Sequence, residues 1–133
     1  MIVWRRWFWA AAIYNLVWGA WAGLHPESML SLIGLPAFHD MPLFRCIGMM
    51  VMVYALGYAM IAIDPERYAA FVWIGLLGKL LGPVGFLFGA VRGDIPWQFG
   101  WINVFNDLVW LPAFAIFAWR HAKPDQILPK KSS

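Results

Sequence analysis

The stretch 71-FVWIGLLGKLLGPVGFLFGA-90 decides the fold. A bilayer core is ~30 Å thick and takes ~20 mostly apolar residues per crossing helix. Phe71 to Ala90 supplies that length with one charge, Lys79, near its middle. A second long apolar run, Trp97 to Trp119, carries Asp107 near its middle. If both runs cross a bilayer, the two opposite charges fall at about the same depth. A charge at the centre of a membrane helix costs ~3 kcal/mol on insertion scales, so such residues face the protein interior and are paired. Lys79 and Asp107 are therefore expected to interact, directly or through one water, and to form the polar centre of the molecule.

Composition extends this reading to the whole chain. The 133 residues are 62% hydrophobic and 13% charged, with a mean hydropathy of +0.65, far from the average soluble domain. Four segments of spanning length are expected, at about 6–24, 43–63, 67–90 and 97–119, followed by a polar tail, 120–133. They leave no room for a second domain. The expected fold is all-α, a single integral membrane domain built as a four-helix bundle. The runs are too long and too unalternated for a β-barrel.

Basic residues orient the bundle. Arg5, Arg6, Arg67, Arg120, Lys123, Lys130 and Lys131 fall on one side of four threaded helices, against Arg45 and Arg92 on the other. By the positive-inside rule both termini are cytoplasmic, and the expected location is a bacterial inner membrane. The pI of about 9.3 then reflects topology and anionic headgroups, and no nucleic-acid partner is expected. Tryptophans agree: Trp4, Trp7 and Trp9 mark one interface, Trp97 and Trp101 the other. The rival for the N-terminus is a cleaved signal, with Ala20-Trp21-Ala22 as its small-residue site. The length of the apolar stretch and Asn15 within it favour a retained helix.

Small residues indicate how the helices pack. Gly75, Gly78, Gly82, Gly85 and Gly89 form a stripe at spacings of three and four, expected to admit a close backbone. Gly48, Ala55, Ala59 and Ala62 make a comparable stripe on the second segment, and Ala12, Asn15, Gly19 and Ala22 on the first. In the first outer loop, Pro26 to Ile33 puts Met29, Leu30 and Ile33 on one side of a helix and Glu27, Ser28 and Ser31 on the other. This predicts a short interfacial helix, with a lid over the bundle as its alternative.

Polar residues inside the apolar runs mark the candidate site. Asn103, Asn106, Asp107 and Trp110 share one helix face, which should point inward. Asn15, Tyr54 and Tyr58 can add hydrogen-bonding groups, and Arg45 lies shallower and can snorkel. Trp110 reads either as packing or as the wall of a ligand pocket. Pro83 and Pro112 remove the donors that the carbonyls of Lys79 and Leu108 would use, so each charge is followed by a helix break. Breaks at mid-depth are also how many transporters build their sites.

Other chemistry is thinly supported. Cys46 is a lone cysteine without an internal disulfide partner. His25, Glu27, His39 and Asp40 share the outer loop but lack tight ligand spacing, so no metal is expected. No phosphate loop, zinc-protease pair or nucleophile elbow occurs, and no catalytic residue is assigned. An enzymatic role is accordingly the weaker expectation.

The pattern His25-Pro26, then Leu32 through Pro36, Arg45, Gly48 and Gly57, resembles the small four-helix membrane proteins grouped as DoxX-like, over roughly Ile13 to Ala90. The resemblance implies a four-helix membrane protein, and some members are similar to quinone-linked oxidoreductase subunits. Three functions stay open. The first is a protein that binds a lipid, quinone or partner membrane protein around Lys79, Asp107, Asn103, Asn106, Asn15, Trp110 and Arg45. The second is a small transporter or proton-coupled carrier, including a homo-oligomeric one. The third is an accessory subunit of a quinone-linked redox enzyme. No cofactor other than a quinone is implied.

Overall fold

The computed structural model describes residues 1–36 and 41–127; His39, Asp40, Lys130 and Lys131, used in the sequence argument, lie outside the described residues. Within them the chain is helical and contains no strand. Helices α1 (Ile2–Leu24), α2 (Pro26–Leu32), α3 (Met41–Ile63) and α4 (Phe71–Val91) are followed by a broken helix. It opens with a tight turn, Trp97–Phe99, continues as α5 (Gly100–Asn103), widens into a π segment, Val104–Leu108, and resumes as α6 (Leu111–His121). A short α7, Pro124–Ile127, ends the described chain.

Among the described residues, three stretches are long and apolar enough to cross a membrane: Met41–Ile63, Phe71–Val91 and Trp97–His121. Helix α1 matches them in length, at 23 residues, but Arg5, Arg6, Asn15 and five tryptophans make it less apolar. It begins at Ile2 and so takes in both arginines, which were expected to precede or open the segment. Helix α4 begins at Phe71 instead of Arg67, because Asp64 and Pro65 set a turn in which the Arg67 N–H donates to Asp64 Oδ1 at 3.2 Å. Arg120 and His121, expected in the polar tail, are the last turn of α6.

Glycines close two of these helices. Gly34 and Gly93 have φ of 79° and 81°, a left-handed conformation that glycine adopts without Cβ strain. Leu35 N–H then reaches the Leu30 carbonyl and Asp94 N–H the Gly89 carbonyl, both at 2.9 Å. This bond from beyond the glycine satisfies carbonyls that the helix end would leave orphaned.

Helices α1 and α3 lie against each other at van der Waals range of their backbones. A Cβ built on Gly48 would stand 2.8 Å from the Gly19 carbonyl oxygen and 2.9 Å from the Gly23 nitrogen. Ala12, Ala22, Ala55 and Ala62 are buried along the same seam. Apolar drive between helices is weak in lipid, so close approach over small residues supplies much of the packing energy.

Two apolar clusters fill opposite ends of the molecule. Phe8, Tyr58, Phe114 and Phe117 pack where α1 begins and α3 and α6 end, with Phe8 to Phe117 ring centroids 4.8 Å apart. Trp18, Ala22, Met29, Leu30 and Phe44 pack at the other end, beneath α2. Helix α2 is pinned there: Trp21 Nε1 donates to Ser28 Oγ at 2.7 Å, and Arg45 pairs with Glu27 at 3.3 Å. Its Met29 and Leu30 are buried, while Glu27, Ser28 and Ser31 are exposed.

The glycine stripe of α4 is filled differently from the expectation. Atoms built on these glycines would meet side chains: Tyr58 at 2.7 Å from Gly75, Tyr54 at 3.6 Å from Gly78, Asp107 at 2.5 Å from Gly82 and Ile95 at 2.5 Å from Gly89. Beside Gly85 there is open space. Among the described residues, side chains line the groove in place of another helix backbone: two tyrosines, a carboxylate and Ile95.

Candidate ligand-binding site

The site grows from the break in the last membrane-length helix. Pro112 has no N–H, so the Leu108 carbonyl loses its α-helical donor. The ladder is disturbed further upstream as well. Val109 N–H bonds the Val104 carbonyl and Trp110 N–H bonds the Asp107 carbonyl, both at 3.1 Å. Neither uses its α-helical partner, which would be the carbonyl of Phe105 and of Asn106 respectively. Side chains take over these two acceptors. Trp110 Nε1 donates to the Phe105 carbonyl at 3.1 Å, and Lys79 Nζ to the Asn106 carbonyl at 2.7 Å. Freed backbone groups at membrane depth persist only where other polar groups satisfy them.

Lys79 is therefore bound to backbone and not to the carboxylate. It is only 4% exposed, and among the described residues it makes no direct ion pair with Asp107. Its ammonium faces three aromatic rings, with Tyr58, Phe114 and Trp110 centroids at 5.5, 5.6 and 6.0 Å. Such ring faces carry partial negative charge and partly replace the solvation that the cation has lost. Of the two expected arrangements, direct contact or one through a water, the direct one is not formed; the carbonyl freed by the π segment lies within reach of the ammonium instead.

Asp107 is held by amides. Asn106 Nδ2 donates to Oδ1 at 3.3 Å. Asn103, with its amide turned as its neighbours require, donates to Oδ2 at 3.2 Å and to the Gly82 carbonyl at 3.3 Å. Gly82 gives the carboxylate its seat, since a Cβ there would stand only 2.5 Å from Oδ2. Asn106 joins both charges: its carbonyl accepts from Lys79 and its amide donates to Asp107.

These groups line a cavity of about 350 Å³ between α3, α4 and the broken helix. Asn15 enters it from α1, 3% exposed, with Nδ2 donating to the Val51 carbonyl at 3.3 Å. The remaining wall is aromatic and aliphatic, including Tyr54, Tyr58, Phe44 and Phe86. The mouth lies between α3 and α4, where Ile47, Met50, Gly78 and Gly82 are exposed. Among the described residues, the buried oxygens Asn15 Oδ1 and Asn106 Oδ1 have no hydrogen-bond partner. Leaving a buried polar atom unpaired costs ~1–3 kcal/mol, and neither oxygen has accessible surface facing the open part of the cavity.

Seven of the residues singled out in the sequence come together here: Lys79, Asp107, Asn103, Asn106, Asn15, Tyr54 and Tyr58. Trp110 lies behind the wall, 8% exposed, and packs on Trp7 and Tyr14 with centroids 5.3 and 5.4 Å away. Arg45 is elsewhere. It pairs with Glu27 and donates to the Gly23 carbonyl at 3.1 Å, fastening α2 to the end of α1. Sequence reasoning missed Gly82 as the seat of the carboxylate, and Trp18 and Ile102 as wall residues. Gly82 was legible only as one member of a stripe; nothing in the sequence distinguishes it from Gly85.

Cys46 is exposed on α3 and unbonded. Among the described residues, no three His, Cys, Asp or Glu side chains gather where they could share a metal ion. No family model matches the chain, and no curated protein or solved structure matches it either.

Proposed function

We propose that this protein is an integral four-helix membrane protein that binds a lipid-soluble ligand, a lipid or a quinone, in the cavity around Lys79 and Asp107. In this reading α1 is the fourth spanning helix, supported by its length and its seam with α3. Helix α2 lies at the outer interface, supported by the division of buried Met29 and Leu30 from exposed Glu27, Ser28 and Ser31. Both termini face the cytoplasm of a bacterial inner membrane, supported by Arg5, Arg6, Arg67, Arg120 and Lys123 at one end of the bundle.

The observation that carries the proposal is the cavity itself. Its volume of about 350 Å³ lies within the ~300–1,000 Å³ of small-molecule sites, which combine apolar walls with a few convergent polar groups. Five polar side chains, Lys79, Asp107, Asn103, Asn106 and Asn15, converge in its otherwise aromatic and aliphatic wall. The DoxX-like resemblance adds the quinone to the ligand classes considered.

Mass spectrometry of small molecules co-purifying with the protein in nanodiscs tests this. The parent should retain a lipid or quinone in stoichiometric amount. The double variant Lys79→Met/Asp107→Leu should fold and lose it. Equal retention by both, or nothing retained by the parent at saturating ligand, would overturn the proposal.

A carrier is the second reading, favoured by the break at Val104–Leu108 beside both charges. It calls for transport across vesicles that contain the protein, with loss on Asp107→Leu.

A further inference from the structure

The polar cavity is walled by aromatic rings toward both ends of the bundle and is open on its side. Toward the end where α1 begins, Tyr58 forms the wall. It is backed by Phe114, with ring centroids 5.1 Å apart, and Phe114 by Phe8 at 5.0 Å. All three side chains are buried. Toward the other end, four rings from four elements follow one another across the bundle: Trp18 of α1, Phe44 of α3, Phe99 of the tight turn and Phe86 of α4. Their centroids are 6.3, 6.1 and 6.4 Å apart in that order. All four line the cavity, and Met29 and Leu30 of α2 pack over Trp18 and Phe44.

The side is built differently. Helices α3 and α4 touch where the Phe71 ring packs on Gly57 and where Tyr58 and Tyr54 lie against Gly75 and Gly78. Beyond Gly78 they part, and a Cβ on Gly85 would meet nothing within 4 Å. Ile47 and Met50 form one lip of the opening, 44% and 61% exposed. Gly78 and Gly82 form the other and are exposed as well. Both lips belong to helices long and apolar enough to cross a membrane, so in a bilayer the opening faces hydrocarbon.

Gly78 is the lip residue that packing leaves free. A Cβ on Gly75, Gly82 or Gly89 would stand 2.7, 2.5 or 2.5 Å from a neighbouring side chain. On Gly78 the nearest atom would be 3.6 Å away, an ordinary van der Waals contact. The fold could therefore house a side chain there, and its absence keeps the opening wide.

We propose that the cavity is loaded from within the membrane: its ligand is dissolved in the bilayer and enters sideways, between α3 and α4 and over Gly78. This rests on the reading of the polar cavity as a ligand site. It adds the source of the ligand, the route and the residue that keeps the route open. A charged solute arriving from water would have to cross a layer of rings with no polar partner, at a high desolvation cost. A molecule already in the hydrocarbon meets only Ile47, Met50 and the two glycines before it reaches Lys79 and Asp107.

Thiol labelling in nanodiscs, which leave both faces of the bilayer open to reagent, tests the route. Cys46 is exposed and is removed, and a reporter thiol is placed on the chamber wall, in the variant Cys46→Ser/Val51→Cys; Val51 lines the cavity from α3. One reagent is N-dodecylmaleimide, which partitions into the bilayer. The other is a trimethylammonium methanethiosulfonate, which stays in water. Each rate is taken relative to the same reagent on the protein unfolded in dodecyl sulfate. The membrane-dissolved reagent should react faster by roughly tenfold or more. Adding Gly78→Phe should slow it by a similar factor, with melting close to that of the parent. Met50→Trp, which narrows the opening from the other lip, should do the same and serves where Gly78→Phe does not fold; the preference between reagents needs neither variant. Equal or faster reaction of the charged reagent would show that the chamber opens to water, and the route falls. A maleimide rate unchanged in both lip variants would place the entrance elsewhere and overturn the assignment of Gly78. Reaction with neither reagent would mean that no opening exists between α3 and α4, which also overturns the proposal. The cavity reading itself is decided separately, by what co-purifies with the protein.

Discussion

Helix α1 meets α3 backbone to backbone, whereas α4 meets its neighbours through side chains. Both contacts are made by stripes of small residues. At Gly19 and Gly48 the opposing surface includes backbone carbonyl and amide beside the Met52 and Ala22 side chains, and that backbone cannot move without the helix. At Gly75, Gly78 and Gly82 the opposing surface is Tyr58, Tyr54 and the Asp107 carboxylate. A small-residue stripe therefore says that something comes close, without saying what. On the α1 side it makes a seam, and on the α4 side it makes room for polar side chains and leaves a cavity beside them.

The largest effects should come from the charges on the open side. Removing either Lys79 or Asp107 leaves the other in a low-dielectric interior, for which losses of ~3–5 kcal/mol are typical. Lys79→Met and Asp107→Leu should each lower thermal stability in detergent strongly. Because Asn106 bonds both groups, the double variant should regain part of the sum, with a coupling of ~0.5–3 kcal/mol. Strictly additive losses would show that the two charges are independent and that Asn106 does not connect them.

A smaller loss is expected on the tight side. Gly48→Ala would press a methyl against the Gly19 carbonyl and the Gly23 nitrogen, and overpacking of this kind costs ~1–3 kcal/mol. The helices must separate to admit it, so the value should lie at the upper end of that range. A Gly48→Ala protein that melts with the parent would mean that α1 and α3 are not in backbone contact.

Much of this arrangement was legible before the coordinates. Apolar run length gave α3, α4 and the last membrane-length stretch, because membrane span and residue number are linked by helix rise. The position of Lys79 and of the Asn103, Asn106 and Asp107 face gave the residues of the cavity, because a polar side chain in an apolar helix has few directions open to it. The missing parts depend on backbone detail. The π segment moves the freed carbonyls to Phe105 and Asn106, and only then does Lys79 have a backbone acceptor within reach. Arg45 could not be assigned from its depth alone, since its contact with Glu27 is set by where α2 folds back. Whether Gly82 faces a backbone, a carboxylate or lipid depends on the rotation of α4, which spacing leaves undetermined.

The smallest effects separate two glycines of α4 three residues apart. A methyl at Gly82 would stand 2.5 Å from Asp107 Oδ2, while one at Gly85 meets nothing. The carboxylate is the end of a side chain and can swing, so Gly82→Ala should cost ~1 kcal/mol, below the loss at Gly48. Its displacement also weakens the Asn103 and Asn106 bonds, so Gly82→Ala should reduce retention of the proposed lipid or quinone as well. Gly85→Ala should stay within about 0.5 kcal/mol of the parent, as surface substitutions away from special features do. In a bilayer the helix is already formed in the reference state, so no large gain from helix propensity is expected at either position. Thermal melts of the two variants in one detergent, with ligand retention measured alongside, make the comparison. A Gly85→Ala loss equal to that of Gly82→Ala would mean that the open face of α4 is covered by a second protein surface, and the exposed mouth described for the cavity would be an interface instead.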